Sequence, residues 1–195
     1  MIKNDKWILE KVKENQIIEP FEAKLINLIE NRKLLSYGMS SYGYDIRLSE
    51  KEFWIFKHIP GTVLDPKSFN PANLEKAKLY EDEKGDKYFI LPANSYGLGV
   101  AVERLNLPEN ITCLAIGKST YARCGIIANT TPAEAGWCGH LTLEFSNSSK
   151  ADCKIYANEG VVQLLFFEGD PCATSYAKRS GKYQDQPEKV TIAKV

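Results

Sequence analysis

Residues Gly139 to Asn147 read Gly-His-Leu-Thr-Leu-Glu-Phe-Ser-Asn, an alternation that suits a strand and not a helix. Its period of two sets Leu141, Leu143 and Phe145 on one face and His140, Thr142, Glu144 and Ser146 on the other. Similar short runs recur at 42–48, 52–59, 88–91, 96–103, 111–116, 154–156 and 161–167. Each is bounded by Gly, Pro, Asn or charge. Strands this short, with turn signals roughly every eight to twelve residues, indicate an all-β barrel or sandwich.

Helical period is scarce. Asn4 or Asp5 can cap a short helix to about Glu14, with Ile8, Leu9 and Val12 on one stripe. Residues 21–30 fit helix or strand equally. In 42–48, Tyr42, Tyr44, Ile46 and Leu48 alternate with Gly43, Asp45 and Arg47, so Asp45 and Arg47 share a face and can form a structural ion pair or a subunit contact there. Residues 60–86 carry Pro60, Pro66 and Pro71 and end in Glu81-Asp-Glu-Lys-Gly-Asp86, which reads as a surface excursion closed by a solvated turn. No internal repeat or second core is visible, so 1–195 reads as one domain with a polar tail over 171–195.

The formal net charge is zero, so any anion binding must be local, and neither nucleic acid nor a membrane surface is indicated. The charged start, Met1-Ile-Lys-Asn-Asp-Lys6, has no apolar segment behind it, and no run approaches the ~20 apolar residues of a membrane span. Five cysteines without C-x-x-C spacing suggest reduced, buried thiols and a cytoplasmic location.

Gly117-Lys-Ser-Thr-Tyr-Ala-Arg-Cys-Gly125 follows a strand and offers Lys118, Ser119, Thr120 and Arg123 between glycines. A helical turn over 119–124 would place Ser119 and Arg123 on one face and turn N–H groups toward an anion. It reads equally as a phosphate loop or as a hydroxyl-rich surface turn. It is not an NTPase loop, because Thr112 stands where that motif requires glycine. Glu144 lies mid-strand on a polar face, where pattern favours plain exposure. It becomes a general base if that face lines a cleft. Gln163 interrupts an apolar strand as either a bonded core amide or a pocket wall. The tail residues Tyr176, Lys178, Arg179, Lys182, Tyr183 and Gln186 read as a disordered terminus or as a lid. The zinc-deaminase H-x-E and P-C-x-x-C pairing is absent, as is G-x-S-x-G.

The runs Ser40–Leu48, Gly117–Gly125, Gly136–Asn147, Glu159–Gln163 and Gly181–Gln186, in that order, closely resemble the dCTP deaminase family of the trimeric dUTPase-like superfamily. The resemblance implies a mainly β fold, a distorted β-barrel of the β-clip type with a short N-terminal helix and few others. It implies a homotrimer with sites at subunit interfaces. It also implies zinc-free deamination of dCTP to dUTP and ammonia, with Mg²⁺ on the triphosphate and dTTP as a candidate inhibitor. Carried over by position, Glu144 resembles the proton shuttle, and Ser119 and Arg123 the residues that position water and substrate. Lys118, Ser119, Thr120, Tyr121, Ala122 and Arg123 match the triphosphate and base cradle. The backbone of Thr142 and Leu143 would read the cytosine edge, and carbonyls near Thr131 and Pro132 would hold the water. Gln163, Tyr176, Lys182 and Gln186 match nucleotide contacts, the last three on a tail that closes over the site.

One position departs from the family pattern. Ala133-Glu-Ala-Gly-Trp137 replaces an Asp-Pro-Gly-Trp-like run, so Glu134 stands where an aspartate contacts the deoxyribose. That departure weighs against the pyrophosphate release of the bifunctional deaminase–dUTPase relatives. A trimeric nucleotide-binding protein without the chemistry is the third reading, and the presence of Glu144, Ser119 and Arg123 argues against it.

Overall fold

A computed structural model describes residues 1–194 of the chain. Helix α1 (Asp5–Asn15) opens it, and the Asn4 side chain accepts from Trp7 N at 3.2 Å. A cap of this kind contributes about 1 kcal/mol. Ile8 is buried, and Trp7 and Val12 pack against the core beside it. The strands follow: β1 (Ile18–Glu19), β2 (Leu25–Ile29), β3 (Arg32–Ser40), β4 (Gly43–Phe56), β5 (Leu74–Lys76), β6 (Tyr80–Glu81), β7 (Lys87–Leu91), β8 (Tyr96–Asn106) and β9 (Ile111–Gly117). After the short helix α2 (Ser119–Ala122) come β10 (Ile126–Ala128), β11 (Thr131–Ala133), β12 (Cys138–Asn147), β13 (Cys153–Tyr156) and β14 (Gly160–Glu168).

Among the described residues, eleven strands form one curled sheet, seven along the path β10-β12-β8-β4-β14-β9-β11 with β1, β2, β3 and β5 paired off it, and β13-β7-β6 form a second, smaller sheet. The curl depends on β4. Its first half pairs with β14, and after a register shift between Leu48 and Phe53 its second half pairs with β8 and β5. An irregularity in mid-strand bends the chain and lets one strand serve both flanks. The two strands expected at 42–48 and 52–59 are therefore a single one, which ends at Phe56. The ambiguous segment 21–30 contains strand β2. The strands β10 and β11 lie between the runs 117–125 and 139–147, outside every run that the sequence pattern marks as a strand.

The core lies inside the curl. Phe53 stacks on Phe89 of the small sheet at 5.3 Å and meets Phe145 of β12 at 5.8 Å. Gly97 and Gly99 make room for it, since a Cβ at Gly97 would sit 2.5 Å from the Phe53 ring and one at Gly99 would sit 2.4 Å from Leu48. Packing at this density forbids a side chain at either position.

Two expectations fail. Asp45 and Arg47 do not pair. Arg47 binds the fully buried Glu103 at 2.7 Å, and Asp45 binds Lys118. A buried charge takes the nearest opposite charge across the sheet, and the sheet brings different partners to each side of β4. The cysteines are all unpaired, but only Cys113 is buried and Cys124 is exposed.

Candidate active site

Strand β12 puts Glu144 at the floor of a cavity of about 610 Å³. An irregularity in the β12–β8 ladder between His140 and Thr142 falls just before it. Thr142 and Glu144 line the cavity from β12, while Leu143 faces the core and is buried. Thr131, Pro132 and Glu134 border it from the β11 side. Phe56, Phe69, Leu98, Trp137 and Leu141 form an apolar wall.

The tail closes the remaining side. Tyr176 N donates to Ala135 O at 2.9 Å, Trp137 Nε1 to Tyr183 O at 2.8 Å, and His140 N to Gln186 O at 2.9 Å. Gly139 has φ near +129°, and a Cβ there would lie 2.5 Å from Gln186 N, so the tail can rest directly on the β12 backbone. Thr142 Oγ1 donates to Gln186 Oε1 at 3.0 Å and accepts from Thr191 N at 3.0 Å. Tyr176, Lys182 and Gln186 thus line the same cavity as Glu144, together with Arg179 and Tyr183. Glu134 is bound by Arg179 and is linked through it to the tail.

Glu144 is half-buried, contrary to the exposure that its pattern favoured. Burial pushes its carboxyl above the ordinary carboxylate range, while a hydrogen bond from the Asn129 side chain pulls it back. Burial and the nearby charge of Glu144 together raise the Tyr96 hydroxyl.

Residues 118–123 lie elsewhere. Arg123 N donates to Ser119 O at 3.1 Å and Arg123 Nη1 to the same carbonyl at 3.1 Å, so the expected helical turn forms. None of these residues borders the cavity. Ser119, Thr120, Ala122 and Arg123 are exposed on the protomer. Tyr121 instead belongs to the core, its hydroxyl accepting from Tyr156 N at 2.9 Å. Lys118 is not a free cation. Its ammonium donates to Ser36 O at 2.8 Å, to Ser36 Oγ at 3.0 Å and to Asp45 Oδ2. Gln163 is half-buried, with Nε2 3.4 Å from Ser40 Oγ.

Reasoning from sequence missed the apolar wall. Phe56 closes a strand and Phe69 sits in a Pro- and Asn-rich excursion, and neither position carries a periodic signal that points to a cleft. Among the described residues no group of three or more His, Cys, Asp or Glu converges on a common point, and no helix is long and apolar enough to cross a membrane.

Fold and cleft define a mainly β protein whose cavity sets carboxylates and tail cations against an apolar wall. Residues 2–169 match the family model described as dCTP deaminase-like. The chain is 51% identical over 186 residues, 95% of either chain, to a dCTP deaminase of Francisella tularensis subsp. novicida, and matches one of Francisella philomiragia at the same identity and coverage. It belongs to the dCTP deaminase family. In fold it resembles the 2'-deoxycytidine 5'-triphosphate deaminase of Agrobacterium tumefaciens, with a TM-score of 0.51 at 16% identity, covering 86% of this chain and 48% of that one.

Proposed function

We propose that this enzyme hydrolyses dCTP to dUTP and ammonia, with Glu144 as the proton shuttle. The observation that carries this reading is the Glu144 carboxylate, half-buried in the cavity, whose proton affinity burial raises. A general base works best when its pKa lies near the working pH.

In the proposed reaction Glu144 takes a proton from water as the oxygen bonds to C4 of cytosine. The protonated carboxyl gives that proton to ring N3 as the C4=N3 double bond opens, then takes the proton of the new C4 hydroxyl and passes it to the departing amino group. The C4–N bond breaks, ammonia leaves, and the oxygen becomes the C4 carbonyl of uracil. Acid–base catalysis of this kind contributes roughly 10²–10⁴-fold. Thr142 and Gln186 would face the base, Glu134 the deoxyribose, and Lys182 and Tyr176 the covered nucleotide. The tail over 171–195 acts as the lid.

No zinc is needed in this reading. The sequence lacks the H-x-E and P-C-x-x-C pairing of the zinc deaminases. A Mg²⁺ ion carried by the triphosphate would neutralise phosphate charge and require no protein ligands.

The exposed turn at Ser119–Arg123, remote from the cavity of its own protomer, supports sites shared between subunits. We read the active form as a homotrimer in the cytoplasm, in which this turn from one copy completes the cavity of the next. dTTP, with the same triphosphate and a pyrimidine ring, is a candidate inhibitor. The deciding experiment incubates the protein with dCTP and Mg²⁺ and follows ammonia, dUTP and pyrophosphate. Ammonia with stoichiometric dUTP is expected. Pyrophosphate or dUMP would make the enzyme bifunctional, and binding without turnover would overturn the reading.

A further inference from the structure

Between Lys57 and Ala72 every residue is exposed except Phe69. This excursion carries no strand, yet its shape is fixed. Asp65 Oδ1 accepts from Lys67 N at 2.8 Å, Asn70 Oδ1 accepts from Ala72 N at 2.9 Å, and Lys57 N donates to Asn73 O at 2.8 Å. These local turns bracket Phe69 and aim it inward. Its ring meets Phe56 edge-on at 5.9 Å, and Phe56 in turn meets Tyr96 edge-on at 5.5 Å. Phe56 and Phe69 line the cavity of Glu144, as does Leu98, its cross-strand partner.

We infer that Phe69 is a positioning residue for deamination: the excursion exists to place its ring over the Glu144 side of the cavity, where it excludes water from the carboxylate. The inference rests on the reading of Glu144 as the base. An exposed loop gains nothing from holding one aromatic ring inward unless that ring packs, and here it packs on the wall of the site and not on the main core. An aromatic ring displaces water and offers no hydrogen bond to an ionised carboxylate, so it favours the protonated form. The Asn129 side chain bonds to the Glu144 carboxylate, Tyr96 approaches it from β8, and Glu134, Tyr176, Arg179, Lys182 and Tyr183 line the same cavity. All of them are unchanged by substitution at Phe69, so a comparison of variants isolates the ring.

The test titrates the carboxyl of Glu144 by ¹³C NMR in protein labelled at the glutamate carboxyls, with the resonance assigned by its loss in Glu144→Gln. In Phe69→Ala the midpoint should fall by about 0.5–1 unit toward the ordinary carboxylate value. In Phe69→Leu, which keeps an apolar cover, it should stay near that of the wild type. The acid limb of kcat/KM should move with the midpoint. An unchanged midpoint in Phe69→Ala, with the fold intact by circular dichroism, overturns the inference. The titration needs no turnover, so it decides the role of Phe69 even if the wild type fails to deaminate dCTP and the functional reading falls.

Discussion

Thr142 Oγ1 donates to Gln186 Oε1 at 3.0 Å, so the strand that carries Glu144 is bonded to the tail that covers it. Both residues are buried. Losing one partner of a buried hydrogen bond costs about 1–3 kcal/mol. Gln186→Ala should therefore raise the KM for dCTP about fivefold or more, with a smaller fall in kcat. Steady-state kinetics reads that split. An equal loss confined to kcat would remove the tail from substrate binding.

The seat of the tail can be tested without touching a polar group. A methyl at position 139 would collide with Gln186 N, and the backbone there has φ near +129°. Gly139→Ala should lift the tail from β12 and make it a preferred site of limited proteolysis. Truncation before Ser175 should weaken dCTP binding and leave the oligomer intact by size-exclusion chromatography. Dissociation on truncation would make the tail a structural element and not a lid.

Glu144→Gln fills the same space but cannot accept a proton. Deamination should fall by about 10²–10⁴-fold with dCTP binding largely kept. Stability should move the other way. Burial raises the folded pKa above the unfolded one, so the folded state binds more protons between the two values and stability falls as pH rises through that window. The amide removes this cost. The variant should therefore unfold at a higher temperature than wild type at neutral pH, and the gain should vanish below the unfolded carboxylate value of about 4.3. A variant no more stable at neutral pH would show that Glu144 is not strained by its site.

Subunit sharing makes a further prediction. Glu144→Gln and Arg123→Ala should each be inactive alone. After denaturation and mixed refolding in equal amounts, about a quarter of the sites should pair two wild-type residues, half times half, if each site draws on two protomers. Recovery near that fraction of the wild-type rate is expected. No recovery would place both residues in one protomer's site.

Asp45 and Lys118 carry a stability prediction. Their side chains are 6% and 12% exposed, and the ammonium has three acceptors. Removing one partner of such a pair costs about 3–5 kcal/mol, whereas replacing both by apolar groups can be neutral. Asp45→Leu should be strongly destabilised in urea, and Asp45→Leu with Lys118→Met should recover most of the loss.

The sequence by itself determined the strand-rich class, the capped helix at Asn4, the alternation of β12 from Leu143 to Ser146, and the turn that links Ser119 to Arg123. Each rests on contacts within a few residues, where periodicity and cap chemistry act. Tertiary structure alone decided the exposure of Glu144, because burial depends on Phe56, Phe69 and a tail some forty residues downstream. It decided that Lys118 binds Asp45 and that Arg47 binds Glu103, because the curl of the sheet, not spacing along β4, chooses the partners of buried charges. It also left the turn at 118–123 outside the cavity of its own chain, since that placement follows from the paths of β9 and β10 across the sheet, which no local pattern encodes.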